Sequence, residues 1–295
     1  MKRVTLIACC FMCSAPLSAQ TPAPGQAARE ILQGADRDSV LPRLAEVLKG
    51  LGSEDFPAIV KELRAIPEGL DRSGPGRLVF ATWAGIDGPA AFEAALRGPE
   101  ASHEAFAAML AWTLRNPEAP IVRLQSMPNK DEQEFATQFL AAAWLMADPA
   151  AALRRSDALP DATMRRAAMR HVCRTLALNP APGMTEKGAE WIARHTQADY
   201  ASEAAGIIAS TWVVKDPKAA MAWVEKLSPG PVREQAIYEL AGSWAGAHPE
   251  RAQAWLEKLP DSSGKRKAMD YLAPILLVRS QENQQRPKEA PSAAP

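Results

Sequence analysis

Three arginines, Arg166, Arg170 and Arg174, recur at intervals of four, with Arg165 beside them and Arg154 and Arg155 shortly before. On a helix this i, i+4, i+8 spacing lays three guanidinium groups along one stripe, where like charges repel by about a few tenths of a kcal/mol per pair. Something must offset that repulsion. Either carboxylates from neighbouring elements, such as Glu134 or Asp161, neutralise a solvated face, or the stripe receives an anion or an acidic peptide.

No other residue set offers comparable chemistry. The four histidines, His103, His171, His195 and His248, fall in different segments or on different helix faces. His171 and Cys173 are two apart and point to different sides of a helix, which is wrong for a shared metal. Cys10 and Cys13 are followed by Ser14, where haem attachment needs histidine. Cys173 reads as a small buried hydrophobe. The sequence holds no His-Glu-x-x-His zinc motif, serine elbow, Walker loop or dinucleotide fingerprint, and no pair of carboxylates stands out as acid and base. The expectation is a protein without metal, cofactor or catalysis. Lys and Arg total 34 against 34 Asp and Glu, so the electrostatic footprint of a nucleic-acid binder is missing.

The elements around the arginines repeat. A Trp-x-x-x-[Asp/Asn/His]-Pro motif runs from Trp112 to Pro117, Trp144 to Pro149, Trp212 to Pro217 and Trp244 to Pro249, with tryptophan spacings of 32, 68 and 32. The long interval hides a degenerate copy: Leu176 lies 32 after Trp144 and is followed by Asn179-Pro180. A fixed period of this size is the mark of stacked helical repeats. Asn116, Asp148 and Asp216 suit an N-cap, His248 occupies the same column, and the following proline suits the first helical position. Each motif therefore ends one helix and starts a shorter one, as in 218–227 or 250–259, which closes on Pro160, Pro229 or Pro260.

Counting back from the tryptophan shows what the first helix buries. Ala136, Ala168, Ala204, Ala236 and Ala268 stand at −8. Leu140, Val172, Ile208, Leu240 and Leu272 stand at −4, and Ala141, Cys173, Ala209, Ala241 and Ala273 at −3. These positions and the tryptophan form one apolar stripe whose alanines let backbones approach closely. Recurrence at a fixed column places the tryptophans in the core. Ala220, Trp223 and Leu227, or Ala252, Trp255 and Leu259, form the matching stripe of the second helix. The arginines fall at −10, −6 and −2, columns that vary between copies. Such a stripe, beside the packing columns, can line the concave face on which solenoids bind partners.

With alanines at its packing columns and a proline closing each second helix, the stretch from Leu51 to Ala273 resembles the tetratricopeptide-like family of helical-hairpin repeats. The resemblance is architectural. It implies a right-handed α/α superhelical solenoid, here of about seven hairpins with a period near 32 residues.

Residues 1–19 read as a secretory signal peptide: Lys2-Arg3, an apolar run over 4–12, then small residues up to a cleavage point after Ala19. Leu6-Ile7-Ala8-Cys9 also matches a lipid-attachment box, with too short an apolar core before it for a lipoprotein. Residues 20–40 are rich in Pro, Ala and Gly and read as a linker, 41–278 as the solenoid, and 279–295 as a tail too poor in apolar groups to fold. After signal removal no run could span a membrane. These features predict a secreted or periplasmic scaffold binding a protein or peptide. The alternative is a cell-wall (peptidoglycan) processing enzyme or its accessory module, since α-superhelices also frame such sites.

Overall fold

The structure, a computed structural model, describes residues 22–285 apart from 35, 37, 67–70 and 100. The signal-peptide segment 1–19 and the final ten residues lie outside the described residues. Those described form sixteen α-helices and no strand, so the protein is all-α. The described residues fall into two compact units, divided between 79 and 80.

In the first unit, α1 (Pro24–Leu32) packs against both α2 (Val40–Leu48) and α3 (Phe56–Arg64). The core is built from Ala28, Ile31 and Leu32 on α1, Leu44 and Leu48 on α2, and Phe56, Ile59 and Leu63 on α3. Arg29 donates from Nε and Nη2 to both oxygens of Glu62, each at 2.7 Å. The linker reading of 20–40 is thereby corrected. Composition disguised an amphipathic helix in which Pro24 takes the first position and Ala28, Ile31 and Leu32 share one buried face.

α4 (Ser73–Ala84) begins in the first unit and ends in the second, which continues with α5 (Gly88–Leu96), α6 (Ala101–Arg115) and α7 (Ala119–Gln125). Then come α8 (Lys130–Ala147), α9 (Pro149–Asp157), α10 (Ala162–Leu178), α11 (Met184–Arg194), α12 (Ala201–Lys215) and α13 (Pro217–Lys226). The last are α14 (Pro231–Ala245), α15 (Pro249–Lys258) and α16 (Ser263–Gln285). The long helices α6, α8, α10, α12, α14 and α16 pack in that order, each on the next, while the short helix after each of the first five packs back on it.

The breaks between helices have local causes. Asp148 accepts from the Ala150 amide at 2.8 Å and Asp216 from that of Ala219 at 2.9 Å, with prolines opening α9 and α13. Such caps stabilise a helix by about 1 kcal/mol each. Asn116 accepts from the amides of Glu118 and Ala119, yet α7 starts only at Ala119. His248 departs from its column: it precedes α15 without a side-chain cap bond, and its ring is exposed. An imidazole lacks the short carboxylate or amide oxygen that reaches back to the N2 and N3 amides. In the degenerate copy Asn179 bonds the Ala181 amide, and Gly183, at φ 79°, turns the chain into α11 four residues later than Pro180. Gly88 is needed for space, because a Cβ there would lie 2.3 Å from the Trp112 ring.

The −8, −4 and −3 columns are buried from α8 to α14, as are Trp112, Trp144, Trp212 and Trp244. In α16 Ala268 and Leu272 remain buried but Ala273 is exposed. The tail reading is corrected too, since α16 continues to Gln285. Residues 280–285, Ser-Gln-Glu-Asn-Gln-Gln, lack apolar groups but include good helix formers that extend an existing helix.

Candidate functional site

The arginine stripe sits on α10, which the buried Met164, Ala168, Val172 and Leu176 hold against its neighbours. Its members differ in fate. Arg170 donates to Glu134 of α8 and, at 2.5 Å, to Glu203 of α12, so one guanidinium joins three successive long helices. Burial by itself would lower the Arg170 pKa; the two carboxylates outweigh it and raise it. Arg166 stands 4.0 Å from Asp199, whose two oxygens accept from Arg165 at 3.0 and 2.8 Å. That bidentate bond chiefly holds the Asp199 pKa below the usual carboxylate range. Arg174 is exposed and has no ion pair with another described residue. The structure therefore does not gather Arg166, Arg170 and Arg174 into one open receptor. Arg170 is engaged as a clamp, and its carboxylate partners were only half legible, because Glu134 was an evident candidate and Glu203 was not.

A polar knot missing from the sequence reading forms where α9, α11 and the start of α12 meet. The buried Tyr200 donates its hydroxyl to Asp157 at 2.6 Å and accepts the Trp191 indole N–H at 3.1 Å. His195 stacks on Trp191 with ring centroids 4.1 Å apart, its Nδ1 2.7 Å from the Trp191 carbonyl oxygen. Burial foremost, then the Asp157 bond, raises the Tyr200 pKa, which keeps the phenol protonated and disfavours it as a base. This is a tie between neighbouring helix pairs. Its one sequence signal was Trp191, which stands 32 before Trp223, itself 32 before Trp255.

A cleft of about 1070 Å³ opens between the starts of α12, α14 and α16, with Ser202, Glu234, Tyr238, Lys267 and Asp270 on its walls. Ser202, Glu234 and Tyr238 occupy the same −10 and −6 columns as Arg166 and Arg170. Glu234 is already engaged, accepting from the Ser263 hydroxyl at 3.1 Å and from the Gly264 amide at the start of α16. Burial pushes its pKa up, but these donors prevail and the net shift is downward. Among the described residues no group of three His, Cys, Asp or Glu is placed to hold a metal, and no helix is long and apolar enough to cross a membrane.

A second periodic surface lies two residues after the tryptophan column. Leu114, Met146, Leu178 and Val214 stand there on α6, α8, α10 and α12 with 69, 69, 58 and 74% of their surface exposed, and Val278 of α16 follows at 55%. Gly246 takes the position after α14. A large apolar side chain recurring at a core column is explained by packing. One recurring in solvent is not explained by packing.

Comparison with protein-family models, curated proteins and solved structures finds no match.

Proposed function

We propose that this chain is an exported α/α-solenoid scaffold that binds a protein or peptide through the exposed apolar row and performs no catalysis of its own. The row carries this reading. Its side chains sit on helices packed in sequence, which places them about 8–10 Å apart. An amphipathic helix with one apolar residue every seven presents side chains about 10 Å apart along its axis, so it matches the row residue for residue. Burying one such side chain fully contributes about 1.5–3 kcal/mol. Export rests on the basic start, apolar run and small residues of 1–19, and predicts a mature protein starting at Gln20, which N-terminal sequencing of the exported material reads directly.

Peptide-display selection against the protein tests binding, with a variant carrying Leu114→Ser, Met146→Ser, Leu178→Ser and Val214→Ser as the counter-target. Enriched peptides should show apolar residues at heptad spacing and lose about tenfold in affinity per substituted row residue. Enrichment of peptides that bind both proteins equally would remove the row as the site. A selection that tracked Arg174 instead would return the reading to an acidic partner.

A further inference from the structure

One groove between consecutive second helices stays open where others are bridged. Eleven places after the tryptophan column stand Arg123, Arg155, Trp223 and Trp255, and three of these reach back to the preceding second helix. Arg123 of α7 donates to Glu93 of α5 at 2.9 Å, Trp223 of α13 to the Ala189 carbonyl oxygen of α11 at 3.3 Å, and Trp255 of α15 to Glu225 of α13 at 2.9 Å. Arg155 of α9 is exposed and has no ion pair or hydrogen bond with another described residue. Glu93 precedes Arg123 by 30 residues, as Glu225 precedes Trp255, but the residue 30 before Arg155 is Gln125. An amide stands where the other two copies hold a carboxylate.

Between α7 and α9 this leaves a cleft of about 320 Å³, lined by Gln125, Arg155, Ile121, Val122, Leu159 and the indole of Trp144. Trp144 is 1% exposed, and its indole N–H has no hydrogen-bond partner among the described residues. A buried donor without an acceptor carries its whole desolvation cost, so an acceptor that reaches it is stabilised. The Trp244 N–H is also unpaired, but in that copy Trp255 and Glu225 bridge the corresponding second helices. At Trp144 the unpaired donor coincides with an unpaired guanidinium and an open cleft.

We propose that this cleft binds a small organic acid with an apolar body, its carboxylate held by Arg155 and Gln125 in the place that Glu93 and Glu225 fill in their copies, and a second acceptor taking the Trp144 N–H. A guanidinium offers a carboxylate a charged fork of donors, and the glutamine amide adds another. Ile121, Val122 and Leu159 give the body an apolar wall, and the volume is at the small end of ligand pockets. Glu118 also lines the cleft, at the other end of the seven-residue α7 from Gln125. That is about 10 Å along the helix axis, beyond a Debye length of about 8 Å, so its charge opposes the anion weakly. No residue of the exposed apolar row lines the cleft, which makes the inference independent of binding by that row.

Isothermal titration calorimetry with N-acetyl-leucine, whose acetyl oxygen supplies the second acceptor, should show saturable binding below about 10 mM. N-acetyl-leucinamide has the same body without the charge and should bind about tenfold more weakly or worse. Arg155→Gln should weaken the acid by about tenfold or more. Gln125→Glu is the sharper variant, because it restores the carboxylate of the sister copies opposite Arg155 and should abolish binding without lowering the melting temperature. Both substituted side chains are exposed, so circular dichroism should not change. In protein labelled with nitrogen-15 tryptophan, the indole signal that Trp144→Phe removes should move downfield when the acid is added. The fourfold serine variant of the apolar row should bind the acid as the parent does, which separates the two proposals. No saturable binding of N-acetyl-leucine by about 10 mM, equal binding of acid and amide, undiminished binding by Gln125→Glu, or an unmoved Trp144 signal overturns the inference.

Discussion

Trp255 of α15 donates its indole N–H to Glu225 of α13 across 2.9 Å. One repeat earlier, Trp223 of α13 makes the corresponding reach to the backbone oxygen of Ala189 in α11, at 3.3 Å. The second helices are thus tied by a tryptophan ladder distinct from the buried one at the ends of the first helices. Trp255→Phe keeps most of the packing and should cost about 1 kcal/mol through the lost bond. Trp255→Ala should cost about 3–5 kcal/mol. Urea denaturation of the two variants separates the contributions.

Cys173 fills an alanine column, and burial pushes its thiol up to about 12. A thiol reagent should leave Cys173 unlabelled in the native protein and reach it only on unfolding. Cys173→Ala should shift stability by about 1 kcal/mol at most, because Ala141, Ala209 and Ala241 are the resident solution elsewhere. Cys173→Leu should cost about 1–3 kcal/mol by overpacking.

Arg170 and Arg174 share a stripe but not a role. Arg170→Gln releases Glu134 and Glu203 together and should destabilise the protein by about 1 kcal/mol, less at high salt, since all three groups are part-exposed. Arg174→Gln should leave stability unchanged within about 0.5 kcal/mol. Chemical denaturation at two ionic strengths checks both.

The pH dependence has two limbs. Burial first, then the Arg174 charge, lowers the His171 pKa, so below the unfolded value of about 6.5 the unfolded chain takes up a proton that the native state refuses. Stability should therefore fall as pH drops from there towards the lowered native value, and His171→Gln should flatten that limb. Asp148 is held low chiefly by the amides of Ala151 and Ala150. Its contribution is complete above an unfolded value of about 3.9 and is lost as pH falls through the native value. Asp148→Asn retains a cap while removing that slope. Melting temperatures across the acid range read both limbs.

Helix boundaries were the most legible part, because Asp148-Pro149 and Asp216-Pro217 each combine a cap with a residue that must stand at a helix start. Where one half of the signal was weak the reading slipped: His248 does not cap, and the degenerate Asn179-Pro180 defers α11 to Met184. Composition misled at both ends, since α1 hides three buried apolar residues among Pro, Gly and Ala, and α16 continues on helix propensity without an apolar stripe. The stripe of arginines was legible as a stripe, but not the fate of each member. Whether a guanidinium is free depends on what adjacent helices bring within 3 Å, and Glu203 is 33 residues from Arg170. The exposed apolar row of Leu114, Met146, Leu178 and Val214 was missed, because exposure belongs to packing rather than to sequence.

The most direct measurement is the equilibrium stability of the protein carrying Leu114→Ser, Met146→Ser, Leu178→Ser and Val214→Ser. If these side chains form a surface kept for a partner, folding does not need them, and the unfolding free energy should stay within about 0.5 kcal/mol per site of the parent. A loss of several kcal/mol would show that they belong to the core, and the binding surface proposed here would not exist.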